Sequence, residues 1–492
     1  MGQLSDLGAH TFRSGLAALI VRIAQAVLSL GAVAVLARLL TPEDFGVVAM
    51  VVPFVVLTNA VGNQGFQTAL IQSAELEQSH ASAFFRFAVR ANLVLAAAFM
   101  ATGFGLAWFY GEPRVVPLSI AWAILILLLT TTAFQEAMLK RAMRFPIVLA
   151  VQLVAVVAGV VGGIVAARLG AGYWSFFVQA AVVEVVRVPA IHALSGWAPT
   201  DVSPDHRASD ASLRSFWRSL AGFRVAAWAS EQPDRILVGR LGGAQTLGLY
   251  DTALRWSGYA FVEPFLALTD VAVVSLSRVR ADPAMYRVYF ARQARALLTI
   301  GLPAIAFIIV EPGSVVRVLL GAQWDAAVPY VRLLGVAAFA GAFTRLTQWV
   351  YISSGTTRRL LQWWLAVQTP VLLAAVLLGA REGPFGVAIG YTIATAALAL
   401  PSLLWSLTGT PLALGTVLRA ALRPVAAAIA AAALLWTAAP ILPDGPGVER
   451  LGASLVLYLA SFVLAWLVAP GGVGAARELV VAIRALKPAQ DS

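Results

Sequence analysis

Apolar runs of about 20 residues, each long enough to cross a bilayer as a helix, follow one another along almost the whole chain. Hydrocarbon offers no water to backbone N–H and C=O groups, so a chain built this way must satisfy them inside helices. Fourteen runs can be marked: residues 15–40, 45–71, 84–110, 115–138, 146–168, 171–194, 216–240, 245–275, 294–311, 326–353, 361–379, 385–407, 423–440 and 450–469. Hydrophobic residues make up 60% of the chain and charged ones 12%. That is about half the charged share of a soluble domain, and the excess apolar surface needs lipid. The expected class is an all-α polytopic membrane protein with about 14 transmembrane helices. The first run is too long for the apolar region of a cleavable signal peptide and reads as a retained span.

The absence of cysteine excludes disulfides and thiolate metal sites. The four histidines, His10, His80, His192 and His206, are not paired at ligand spacing, so no metal site is expected. No G-x-x-x-x-G-K-[ST] stretch is present, and no nucleotide or other cofactor is expected. A net charge of +11 does not require a nucleic-acid partner, because inner-membrane proteins collect Lys and Arg in their cytoplasmic loops. With the N-terminus inside, inside segments hold 21 of the 35 basic residues, including Arg278, Arg280, Arg287, Arg292 and Arg295 between two runs. The outside connections carry one each, such as Arg38, Arg114, Arg240 and Arg450. Both termini are therefore expected in the cytoplasm.

The outside connections are short and leave no large external domain for chemistry. The longest polar insert, "SGWAPTDVSPDHRASDASLRSFWR" at 195–218, falls after six runs and has a linker's composition. The expected organisation is an N-terminal lobe at 1–194, a cytoplasmic linker at 195–215, a C-terminal lobe at 216–407, an extra helix pair at 408–470 and a cytoplasmic tail at 471–492. "ARLLTPEDFGVVA" (37–49) and "GRLGGAQTLGLYDTA" (239–253) occupy equivalent places in the two halves. Arg38, Leu39 and Gly46 match Arg240, Leu241 and Gly248 at an offset of 202, which also pairs Arg22 with Arg224 and Ala24 with Ala226. Duplication of a six-span unit accounts for this. An even number of spans gives both halves the same orientation, as in transporters with the substrate site between repeats.

Ionisable residues inside apolar runs cost roughly 2.5–3.5 kcal/mol each at the bilayer centre and so face partners or wet cavities. Arg224, Trp228, Glu231 and Arg235 share one helical face, with Pro233 predicting a kink. Asn59, Asn63 and Gln67 form a second stripe, and Asp251, Arg255 and Tyr259 a third; Arg345 with Gln348 adds another polar pair. Each has a plain alternative. Arg22 is close enough to the cytoplasmic end to snorkel; Arg235 can pair with Glu231, and Asp251 with Arg255, one turn away. Asn59 and Asn63 can join helices instead of lining a cavity. Arg38 and Arg240 read as interfacial anchors, Glu136 and Glu184 as solvated or paired.

At these residues the chain resembles a known family. "VLARLLTPEDFGVVAM", "NQGFQTALIQ", "LKRAMRF", "DRILVGRLGGAQTLGLYDTALR", "SRVRADPAMYRVYF" and "LLGAQWDAAVPYVRLLGV" are similar to the polysaccharide-exporter, or Wzx-type, branch of the multidrug/oligosaccharidyl-lipid/polysaccharide flippase superfamily. The likeness runs from about residue 12 to 360. It implies two pseudo-symmetric six-helix lobes forming a V plus a C-terminal helix pair. It also implies a non-enzymatic flippase that moves an undecaprenyl-diphosphate-linked oligosaccharide to the periplasmic leaflet by alternating access, for O-antigen, capsule or exopolysaccharide. The family's cationic cavity corresponds to Arg22, Arg224, Arg255 and Arg345. Arg235 is a further candidate, although Glu231 and Asp234 beside it depart from a purely basic cavity. Asn59, Asn63, Gln67 and Trp228 are candidates for the sugars. The partners implied are the lipid-linked oligosaccharide, membrane lipids, and the polysaccharide polymerase and chain-length machinery. Two alternatives remain: a cation-coupled drug exporter of the same superfamily using Glu231 or Asp234, and a membrane-embedded glycan polymerase or ligase.

Overall fold

The computed structural model describes residues 25, 28–72, 78–200 and 207–468. Among the described residues the chain is helical throughout, and ten helical stretches are long and apolar enough to cross a membrane. One of these, Thr357–Leu407, has 51 residues. At about 1.5 Å per residue that is more than twice the bilayer core. The left-handed Gly383 (φ 77°) breaks it into two passes.

The first part of the chain runs through α1 (Leu28–Leu39), α2 (Pro42–Asn59), a π-helical turn at Ala60–Gln64 and α3 (Gly65–Gln72). It continues with α4 (Gln78–Tyr110), α5 (Val115–Arg141), α6 (Phe145–Arg168) and α7 (Trp174–Ser195). Then come α8 (Arg207–Glu231), α9 (Pro233–Arg278), α10 (Pro283–Val310), α11 (Pro312–Leu319), α12 (Val328–Ser353) and α13 (Thr357–Trp363). The last elements are α14 (Thr369–Gly379), α15 (Gly383–Leu407), α16 (Leu414–Ala438) and α17 (Val448–Val468). Helices α8 and α9 carry several charges and are not among the ten apolar stretches. Helix α8 begins at Arg207, upstream of the apolar run, because "RASDASLR" is helix-competent without being apolar.

Contacts group the chain into two units: residues 1–251 with 380–387, and residues 252–379 with 388–492. In the first unit a core of Phe66, Leu70, Phe84, Ala88, Phe134 and Ala137 joins α3, α4 and α5. Helix α6 packs on α7 through glycines. A methyl group on Gly159 would lie 2.4 Å from a Val183 methyl carbon, and one on Gly162 2.9 Å from Val182. Small residues of this kind let membrane helices approach closely. In the second unit Phe265 stacks on Trp349 with ring centroids 5.7 Å apart. The alanines Ala427, Ala428 and Ala431 of α16 pack with Tyr458 of α17.

The first residues of the expected linker are strapped to the first unit. Trp197 donates from Nε1 to Gln78 Oε1 at 2.8 Å and packs on Phe85 and Phe134. Gln78 donates to the Ala198 carbonyl at 2.8 Å, and the Thr200 amide donates to Ser82 at 3.0 Å.

Candidate membrane translocation site

The two copies of the repeated turn meet each other. Helix α1 ends before Thr41, whose extended backbone (φ −84°, ψ 159°) opens α2 in a capping box with Asp44. At the same 202-residue offset, Gly243 (φ 69°, ψ −171°) breaks α9, so its second half starts at Ala244 as α2 starts at Pro42. A methyl group on Gly46 would lie 1.6 Å from the Ala244 carbonyl oxygen; one on Gly248 would lie 1.8 Å from that of Pro42. The contact is reciprocal in the manner of a two-fold interface, with each glycine facing the first residue of the other helix. Only glycine permits backbone to touch backbone there. Beside this crossing Arg114 grips Glu112 with two bonds of 2.7 Å and also pairs with Glu43 in the first turn of α2.

Helix α8 lies antiparallel against α2 and α3, held by two indoles. Trp217 Nε1 donates to the Val61 carbonyl and Trp228 Nε1 to the Pro53 carbonyl, both at 2.8 Å. Trp217 also stacks on Phe66, centroids 5.1 Å apart, and Trp228 packs on Phe54 at the same distance. Val61 belongs to the π-helical turn, where the widened ladder alters carbonyl presentation, a feature common at functional sites. Between the two anchors sits Arg224. It is half-buried, its Nε is buried, and among the described residues that atom has no hydrogen-bond partner.

The amide stripe of α2 and α3 turns toward α5. Asn63 is buried and donates from Nδ2 to Asn59 Oδ1 at 3.0 Å and to the Ile126 carbonyl at 3.4 Å. Gln67 donates to the Ala133 carbonyl and to Glu136 Oε2, both at 3.3 Å. Glu136 and Glu184 are both buried and share Arg187, whose Nε is 3.2 Å from Glu136 Oε1 and whose Nη1 is 3.2 Å from Glu184 Oε1. Lys140 stands 3.5 Å from Glu136. Among the described residues, Glu184 Oε2 is buried without a hydrogen-bond partner. Arg187 is not among the residues singled out by sequence, although it stands three positions after Glu184 on the same helix.

The helix does break at Pro233, with a bend at Gln232. Asp234 is buried and accepts a 2.7 Å bond from the Tyr250 hydroxyl. Arg235 reaches Asp251 (Nε to Oδ1, 2.7 Å) and Gln232 (Nη1 to Oε1, 2.9 Å). It thus binds across to the repeated turn's helix, a partner local spacing did not predict. Glu231 is exposed. In the second unit Arg255 is exposed, and half-buried Arg345 lies over the Phe265 ring, 5.8 Å from its centroid. Arg240 lies over Phe109 at 5.8 Å. Arg22 is outside the described residues.

The helical architecture is shared with solved membrane transporters. Lipid II flippase MurJ in an inward closed conformation matches with a TM-score of 0.67 and 12% identity, over 94% of this chain and 99% of that one. An inward-facing multidrug resistance MATE family transporter of the MOP superfamily matches with a TM-score of 0.59 and 17% identity, over 79% and 97%. The class defined is a polytopic α-helical membrane protein sharing the fold of these two structures. Residues 35–329 match the polysaccharide biosynthesis protein family, and the chain belongs to it. The chain is 27% identical over 360 residues to the succinoglycan biosynthesis transport protein ExoT of Rhizobium meliloti (strain 1021), covering 71% of this chain and 70% of that one. It is 21% identical over 294 residues to the teichuronic acid biosynthesis protein TuaB of Bacillus subtilis (strain 168), covering 57% and 58%.

Proposed function

We propose that this protein is a flippase that carries a polyprenyl-diphosphate-linked oligosaccharide from the cytoplasmic to the periplasmic leaflet of a bacterial inner membrane, with both termini cytoplasmic. Its product feeds surface polysaccharide synthesis, and a transport relative named for succinoglycan supports an exported glycan. The observation that carries the reading is Arg224: a guanidinium on a helix of the membrane bundle with its Nε buried and, among the described residues, without a hydrogen-bond partner. Burying charge without a partner is costly, and a phosphate oxygen supplies the missing acceptor through a charge-assisted bond. Arg22, Arg255 and Arg345 are further cations for the diphosphate, with Asn59 and Trp228 beside the route for sugars. Asn63, Gln67 and Arg235 position those helices through their bonds to α5 and Asp251.

An anion leaving an inside-negative cell gains about 2.3 kcal/mol per charge per 100 mV, so the membrane potential supplies direction without ATP. The Gly46–Gly248 crossing is the outer closure and must part for release. In proteoliposomes containing a fluorescent lipid-linked oligosaccharide, the wild type flips the lipid, Arg224→Ala slows flipping by about tenfold or more, and Arg224→Lys retains part of it. Unchanged flipping by folded Arg224→Ala removes that residue from the route. Drug efflux driven by a proton or sodium gradient, with no glycolipid movement, overturns the cargo.

A further inference from the structure

Away from these residues, the second unit holds a pocket of about 460 Å³ at one end, where α10 meets α11 and α16 turns toward α17. Its lining includes Glu311, Ser314, Arg332, Trp436, Pro446 and Arg450. Glu311 is buried and already engaged: Arg450 Nε donates to its Oε1 at 2.8 Å and Ser314 Oγ to the same atom at 2.5 Å. That ion pair neutralises one arginine. The other, Arg332, is exposed, and among the described residues it has no hydrogen bond or ion pair. The lining therefore carries one uncompensated positive charge. The start of α11 points the same sign of dipole into the pocket. The loop acids Asp444 and Glu449 are exposed and stand outside the lining.

The pocket's depth narrows the occupant. Trp436 is 64% exposed and Ile441, in the adjoining turn, 87%. An exposed indole and an exposed aliphatic side chain at a helix end mark the lipid–water boundary. The loop-charge bias assigns this end to the outside. We infer that the Glu311–Arg332–Arg450 pocket is a phosphate site that holds the phosphate-bearing headgroup of an outer-leaflet lipid. Arg332 supplies the forked guanidinium contact. The Glu311–Arg450 pair fixes the floor, and Trp436 packs on the glycerol and first acyl carbons. The inference does not depend on which cargo the flippase carries.

The full chain in detergent is titrated with short-chain phosphatidylglycerol, the matching diacylglycerol, inorganic phosphate and inorganic diphosphate, with binding read by native mass spectrometry and thermal shift. Phosphatidylglycerol should bind and diacylglycerol should not. Arg332→Ala should weaken binding about tenfold, the loss of one charged hydrogen bond, while Arg332→Lys keeps most of it. Trp436→Ala should weaken the lipid and leave inorganic ions unaffected. Inorganic diphosphate binding as tightly as the lipid, and depending equally on Arg332, supports the phosphate site but moves its source to soluble or released phosphate. Equal binding of lipid by wild type and Arg332→Ala, with matching melting in the absence of ligand, overturns the proposal. So does binding of diacylglycerol as tight as that of phosphatidylglycerol.

Discussion

Gly46 and Gly248 stand on opposite sides of one helix crossing, each pressed against the carbonyl of the residue that begins the other's helix, Ala244 and Pro42 respectively. Residues equivalent by the internal repeat thus meet in space. The repeated arginine–leucine turn delivers two matching glycines to a single contact.

Enlarging either glycine should force this crossing apart. In the cysteine-free chain, a single cysteine at the buried position Ala244 reports it through a membrane-impermeant thiol reagent. Labelling should be slow in the Ala244→Cys background and rise several-fold, roughly the effect of losing a close backbone contact, when Gly46→Ala is added. Flipping should fall at the same time. Unchanged labelling would show that the helices do not close here.

Arg187 holds two buried carboxylates. Arg187→Met should destabilise the protein by about 3–5 kcal/mol, because it strands Glu136 and Glu184 without their shared partner. Adding Glu136→Gln and Glu184→Gln should recover most of that loss. Thermal unfolding of the purified variants decides it, and a triple variant no better than the single one would contradict the bridging role.

The indole anchors predict a graded series. Trp228→Phe keeps the packing on Phe54 but removes the donor to the Pro53 carbonyl, costing about 0.5–1.5 kcal/mol. Trp228→Ala loses both and should cost more. Equal melting of all three proteins would mean α8 is held elsewhere.

Acid should loosen the loop after α4. The bonds from Arg114 hold the Glu112 carboxyl below its ordinary range. A depressed folded value contributes stability that is present above the unfolded pKa and lost as pH falls through the folded one. Melting curves from pH 7 downward should show wild type approaching Glu112→Gln as the carboxylate protonates. A constant gap between them at all pH values refutes the linkage.

Much of this was legible in the sequence because membrane helices announce themselves by length and hydropathy. Pro233 foretold the bend at Gln232, since a ring without an N–H cannot continue the ladder. The 202-residue offset pointed to the equivalence of Gly46 and Gly248, though not to their contact. What escaped were partnerships between helices. Spacing offered partners one turn away for Arg235 and Asp251, but not the bond that these two make with each other across 16 positions. Asn63 reads equally as cavity lining or helix joint, and neither its bond to the Ile126 carbonyl nor that of Gln67 to the Ala133 carbonyl is visible in the spacing. The early start of α8 and the docking of Trp197 were hidden for a different reason. Polar helices and polar loops share one composition, and the docking site is built from distant residues.

No side chain intervenes where Pro42, Gly46, Ala244 and Gly248 touch. The joint itself is bare main chain, while the charges that can answer salt or protons, Arg114, Glu43 and Glu112, stand beside it. Any influence of the surrounding solution on the crossing therefore enters through that neighbouring clasp.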